Sequence, residues 1–215
     1  MAITASKKPV MTIFSSETGI ESHRVRMVLA EKKISAEIEF IDLDEPPEDF
    51  IDLNPYGTLP ALIDRDLVLH NSRIVMEYLD ERFPHPPLCS VDPVSRARFR
   101  TIIQRIDDDW YPLVEEIENS ADKKAAKARK LLKERLMSVM PVFEAQPFFM
   151  SDELTLVDCA LAPLLWRLPS LGIDLSKQAD ALKAYSKRLF ERESFLESLS
   201  EEEKYLNAED ARLRG

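Results

Sequence analysis

"NPYGTLPALID", Asn54 to Asp64, is the stretch whose reading decides the fold. Pro60 stands at the start of a strand-like run, just behind Gly57-Thr58. Proline has no N–H to give to a sheet ladder, so it belongs at an edge or at a strand's first residue. A turn before it and a hairpin after it suit a cis bond between Leu59 and Pro60. An ordinary trans strand start satisfies the same local pattern. The cis form would expose the N–H and C=O of Leu59 side by side, ready to pair with an extended peptide.

Reading outward, "TLPALID" and "LVLH" flank Arg65-Asp66 and predict a tight hairpin. On the N-terminal side, "VMTIF" (Val10 to Phe14) reads as a short buried strand, and Val25, Val28 and Leu29 follow at helical spacing. "AEIEFIDLD" alternates Ile38 and Phe40 with Glu37 and Glu39, a strand with one polar face. "PPEDFIDLNP" predicts a brief helix begun by prolines and stopped at Asn54-Pro55. "NSRIVMEYLDERF" predicts a helix with Ile74, Val75, Tyr78 and Leu79 inward. The order β-α-β-α-β-β-α makes a mixed sheet with helices on it.

Beyond residues 84–93 the period changes and no strand is convincing. Helices are predicted at about 93–118, 124–145, 155–168 and 178–192, with a weaker one near 200–207. "KKAAKARKLLKERL" and "EEEKYL" read as solvated helix faces. In "LTLVDCALAPLLW", Thr155-x-x-Asp158 fits a structural capping box with Leu154 as its staple.

The 215 residues carry 29 basic and 39 acidic side chains, a formal charge of -10. Residues 1–86 hold 9 basic and 16 acidic groups and the remainder 20 and 23, so neither half is basic. Binding to phosphate backbones needs a basic face, which argues against direct recognition of DNA or RNA. The acidity suits a basic protein surface instead. Cys89 and Cys159 lie far apart, and three scattered histidines do not make a metal site. Both thiols read as structural and reduced, Cys159 in the core and Cys89 closer to the surface. No apolar run follows the lysines of Met1 to Pro9 as in a signal peptide, and none is long enough to span a membrane. A soluble protein of a bacterial cytoplasm is expected.

These marks together resemble the glutathione S-transferase fold: a thioredoxin-like domain with its cis-proline at Pro60, then an all-α domain. Domain bounds of 9–86 and 94–207 are expected, joined by a linker at 87–93. The resemblance implies a glutathione site built from Leu59, Pro60 and the start of the helix at Ser72, with a Tyr, Ser or Cys near the first helix acting on the thiol. Counting back from "RVR", that active position falls on Gly19, which has neither hydroxyl nor thiol. Ser15, Ser16 and Thr18 stand nearby, but Thr18-Gly-Ile-Glu21 fits a capping box, so Thr18 is expected to start the helix rather than activate a thiol. Where the enzymes commonly carry an acidic residue before Ser, this chain has Asn71-Ser72. Asn71 keeps hydrogen-bonding capacity and loses the charge that pairs with a ligand ammonium. Gly19, Leu59, Pro60, Asn71 and Ser72 are thus expected to be a vestigial glutathione site, with no catalytic residue, cofactor or metal.

"DERFPHPPLCSVDP" follows the first half, and Pro84, Pro86 and Pro87 stiffen it around His85. By itself it reads as an interdomain linker; a rigid exposed surface of this kind also loses little entropy on binding. "SHRVRMVLAEK", "FIDLNPYGTLPALIDRDL", "IVMEYLDERFPHPPL", "DWYPL" and "LVDCALAPLLWRLPSLGIDLS" together resemble the stringent starvation protein A family, a bacterial branch of the transferase fold. That resemblance implies a homodimer that binds RNA polymerase holoenzyme with its primary sigma factor through Pro84, His85 and Pro86. It implies altered promoter use in stationary phase and stress, without transferase activity. The competing expectation is a glutathione-dependent transferase or thiol reductase using Ser15, Ser16 or Thr18.

Overall fold

The computed structural model describes residues 11–175 and 179–206. The expected strand start at Val10, the domain bounds at 9 and 207 and the helix start at 178 lie outside the described residues.

Strand β1 (Thr12–Ser15) leads into helix α1 (Ile20–Glu31), and β2 (Glu37–Phe40) follows. A short helix α2 (Glu48–Leu53), the hairpin β3 (Ala61–Asp64) and β4 (Leu67–His70), and helix α3 (Ser72–Arg82) complete the first half. The sheet order is β2-β1-β3-β4. β1 runs parallel to β2, pairing Ile13 with Ile38, and antiparallel to β3, pairing Ile13 with Leu62. Arg65 takes φ 61° in the hairpin turn, which lets Asp64 and Leu67 pair directly.

The second half consists of α4 (Pro93–Arg105), α5 (Tyr111–Asn119), α6 (Asp122–Ser138), α7 (Met140–Ala145), α8 (Leu156–Arg167), α9 (Asp180–Phe190), α10 (Glu193–Ser198) and α11 (Glu201–Leu206). The helix expected over 93–118 is interrupted by a π-helical turn, Ile106–Trp110. Pro112 follows that turn; it lacks the N–H for a bond to residue 108 and its ring crowds that carbonyl, so the wider turn absorbs it. The helix expected over 124–145 breaks at Val139, ahead of Pro141. α10 had no counterpart in the sequence reading.

One apolar core runs from the sheet into the helices, joining Ile13, Val28 and Leu62 to Met76, Val157, Leu161, Tyr185 and Phe195. α1 lies in its middle, with Ser22 through Leu29 all buried. It meets α3 on one side and α8 and α10 on the other. A smaller cluster of Phe14, Phe50 and Ala61 seats α2 against the sheet. Two expectations about facing are corrected. Ile74 points outward at 50% exposure, while Val75, Met76 and Leu79 form the inward stripe. On β2, one of the sheet's two edge strands, Ile38 and Phe40 remain exposed despite their apolar alternation.

Candidate functional site

The opening turn of α1 is built by serines. The helix begins at Ile20 behind Gly19, which caps it without a side chain. Ser16 Oγ accepts from Gly19 N at 3.0 Å, and Ser22 Oγ accepts from Ser16 N at 2.9 Å. Thr18 therefore does not cap the helix, correcting the capping-box expectation for Thr18 and Glu21. The Ser16 hydroxyl has closed the turn two residues earlier, and the Thr18 carbonyl accepts from Arg167 Nη2 at 2.6 Å. Ser15 is fully buried and donates to Ser16 O while accepting from Arg26 Nη1. At Gly19 a Cβ would stand 2.9 Å from Ser16 Cβ, closer than real contacts allow. Glycine is thus a consequence of close packing there; its φ of -66° makes no special demand.

Beside this turn, the Leu59–Pro60 peptide is cis. Asn71 enters α3 with φ 96°, a value uncommon outside glycine. Its side-chain oxygen accepts from Arg73 N at 3.0 Å and Ile74 N at 3.3 Å, so it caps the helix with its own amide. Ser72 is buried, and its hydroxyl receives Arg24 Nε at 3.0 Å and Arg24 Nη2 at 2.5 Å. Arg24 reaches on to Asp107 across the two halves and lies 5.0 Å from the Tyr111 ring centre. Two donors at the start of α3, the N–H groups of Arg73 and Ile74, are thus engaged by Asn71, while the Ser72 hydroxyl accepts from Arg24.

Behind α1 lies a polar cluster that the sequence reading missed. Glu203, placed there on a solvated face, is fully buried. Its carboxylate accepts from Arg26 Nη2 at 2.6 Å, from Arg167 Nη2 at 2.5 Å and from Ser200 N at 3.0 Å. His23 Nδ1 faces Arg167 Nη1 at 3.2 Å and Glu203 Oε1 at 3.3 Å. Arginine only donates, so Nδ1 accepts and Nε2 donates to Ser198 Oγ at 3.0 Å. Burial, with Arg167 and Arg26 adding to it, holds the His23 imidazole well below its ordinary value. Nothing in the sequence around Arg26, Arg167 or Glu203 signals this pairing, because partners so distant in sequence leave no local period.

The turn after α3 exposes Pro84, His85, Pro86 and Pro87, and the His85–Pro86 peptide is cis. It is held from below by Lys32, the residue that ends α1. Lys32 Nζ donates to Phe83 O at 2.6 Å and Pro86 O at 2.7 Å and pairs with Asp80 Oδ1 at 2.7 Å. A lysine closing the apolar run "RMVLAEK" was the available hint, since a buried ammonium needs oxygen partners.

At the start of α8, Thr155 and Asp158 form a capping box. Asp158 also accepts from Phe149 N at 2.8 Å and from Tyr185 Oη at 2.5 Å. Burial pushes its carboxyl up, against the pull of the Tyr185, Phe149 and Thr155 hydrogen bonds. Cys159 beside it is buried, and Cys89 is half-buried. Among the described residues no group of three or more His, Cys, Asp or Glu side chains is placed to hold a metal ion, and no helix is long and apolar enough to cross a membrane.

Residues 21–82 match the glutathione S-transferase N-terminal domain and residues 101–193 the C-terminal domain. A glutathione transferase structure from Methylococcus capsulatus superposes with a TM-score of 0.82 at 27% identity, covering 91% of this chain and all of that one. A stringent starvation protein A homologue of Pasteurella multocida is 52% identical over 200 residues, 93% of this chain and 94% of that protein. One from Coxiella burnetii is 50% identical over 205 residues, 95% and 98% of the two chains. With half its residues shared along nearly its whole length, the chain belongs to the stringent starvation protein A family, on a glutathione S-transferase fold.

Proposed function

We propose that the protein is a non-enzymatic transcription regulator that docks on RNA polymerase holoenzyme carrying the primary sigma factor and alters promoter use in stationary phase and stress. The carrying observation is a contrast between two places on the surface. At the opening of α1, Gly19 replaces a reactive side chain, Ser15 and Ser16 are hydrogen-bonded into the turn, and Asn71 and Ser72 serve α3 and Arg24. At residues 84–86 a proline-flanked histidine stands in solvent on an anchored backbone. A surface already held in its binding shape loses little entropy on association. The acting form is a homodimer, in a bacterial cytoplasm. Leu67, Ile74, Val94 and Met150 support it: these apolar side chains, 37 to 59% exposed, line neighbouring grooves that meet at Thr101.

Co-purification with holoenzyme at physiological salt tests the reading, wild type against the variant with Pro84, His85 and Pro86 all replaced by Ala. The variant should remain folded and dimeric and lose the polymerase. Undiminished capture of holoenzyme by that variant removes the turn as the docking site. Calorimetry with glutathione should give no tight binding; turnover of a standard electrophile that is lost on Ser16→Ala overturns the non-enzymatic reading.

A further inference from the structure

The docking turn is suspended from one cation. An ammonium has three N–H groups. Those of Lys32 have oxygen partners in Phe83, Pro86 and Asp80, all at 2.6 to 2.7 Å, and the side chain is closed to solvent. Asp80 Oδ1 accepts in addition from Leu88 N at 2.9 Å, and Leu88 O accepts from Leu156 N at 2.9 Å. The segment from Phe83 to Leu88 is therefore tied from beneath to α1, α3 and α8. Its two carbonyls at 83 and 86 point inward to Lys32, and the prolines at 84, 86 and 87 have no N–H.

The geometry points to Lys32, clamped with Asp80, as the positioning residue of a docking turn that its partner reads through proline rings and the His85 imidazole rather than through backbone pairing. This inference rests on the docking role proposed above. An added β-strand needs alternating free donors and acceptors. Residues 83–87 have committed the carbonyls of Phe83 and Pro86 and lack N–H at three positions, so strand addition is closed to them. What faces outward is apolar ring surface with a single hydrogen-bonding ring, His85. The fitting partner is a protein concavity lined by apolar or aromatic side chains, with one polar group placed for an imidazole.

The chain has three histidines, His23, His70 and His85, so selective labelling at Cε1 gives one reporter in the turn and two far from it. In Lys32→Met the His85 signal should shift or split while those of His23 and His70 stay, and holoenzyme affinity should fall about tenfold or more. Asp80→Asn, which keeps an oxygen for Leu88 N, should move both readouts the same way by less. Lys32→Arg should recover part of each. A displaced His85 signal with wild-type affinity overturns the positioning role, while loss of binding in the triple-alanine variant still upholds the docking turn. Wild-type binding by the triple-alanine variant instead overturns the docking role itself. If Lys32→Met moves all three signals, Lys32→Arg decides: a restored His85 signal without restored affinity is equally fatal to the inference.

Discussion

Arg26 on the first helix and Glu203 on the last described one are 177 positions apart and form a 2.6 Å ion pair closed to solvent. Glu203 holds Arg167 in the same way, so one carboxylate serves two buried guanidinium groups. α11 is thereby fixed over α1 by charge as well as by packing. Removing one partner of a buried pair leaves an uncompensated charge and costs about 3–5 kcal/mol. Glu203→Ala should lower unfolding stability by about that amount, measured by urea denaturation. Glu203→Gln should cost less, because its amide oxygen still accepts from one arginine. Equal stability of Glu203→Ala and wild type would contradict the arrangement.

His23 makes stability depend on acid. It is faced by Arg167 from α8, Glu203 from α11 and Ser198 from α10, with Arg26 on its own helix. Its folded-state pKa lies well below the ordinary 6.5, burial being the largest cause. Below pH 6.5 the unfolded chain therefore takes up a proton that the folded chain refuses. The contribution is fully present above the unfolded value and is lost as pH falls toward the folded one. Within that window the slope approaches about 1.4 kcal/mol per pH unit. His23→Gln should flatten this part of the stability profile, and an unchanged slope in that variant would show that another group titrates.

These two sites show which kinds of structure a sequence displays. β1, α1, the hairpin and α3 were legible because Ile13, Val28, Leu62 and Leu79 sit at strand or helix spacing and their caps and turns are local. Asn71 was legible as an uncharged replacement, but its φ of 96° and its amide cap were not, because Ser72 offers an equally good local start. Glu203 was misread for a different reason: "EEEKYL" has a polar pattern on all sides, and only the arginines of α1 and α8 turn one of its carboxylates inward. Lys32 looked like an ordinary helix end until Phe83 and Pro86 brought their carbonyls to it.

Gly19 cannot simply be converted back. A Cβ there meets Ser16 Cβ at 2.9 Å and Ser16 Oγ at 3.1 Å. Gly19→Ser should destabilise by about 1–3 kcal/mol through overpacking. It should gain no conjugation of glutathione, because Asn71 still occupies the N–H groups of Arg73 and Ile74 and has no charge to pair with the ligand ammonium. Ser16→Gly should cost less in the Gly19→Ser background than in wild type, a coupling that a double-mutant cycle measures. Additive costs would mean that the turn relaxes without contact between the two positions.

Asp158 joins three pieces of the helical half. Thr155 N donates to it at 2.7 Å within the cap, Phe149 N from the preceding loop at 2.8 Å, and Tyr185 Oη from α9 at 2.5 Å. Asp158→Ala leaves buried donors without an acceptor, each worth about 1–3 kcal/mol. The loss should exceed that of Tyr185→Phe, which removes a donor and leaves the cap intact. Thermal denaturation orders the two, and a larger loss in Tyr185→Phe would shift the anchor from the carboxylate to the ring.

The outward position of Ile74 bears on assembly. α3 already buries Val75, Met76 and Leu79 toward its own core, so Ile74 adds nothing to that packing. It shares a groove with Leu67, Tyr78, Arg100 and Thr101, at the junction of the two halves. In a self-complementary dimer the same patch meets itself or its neighbour on the second copy, and a like charge placed there is repeated across the two-fold axis. Ile74→Glu should therefore shift sedimentation toward the monomer while leaving the thermal transition of the isolated chain little changed, since the side chain is solvent-exposed before assembly. Leu67→Glu should act in the same direction. Dimers of undiminished affinity in both variants would place the interface on another face, and a monomeric Ile74→Glu that still captures holoenzyme would separate docking from dimerisation.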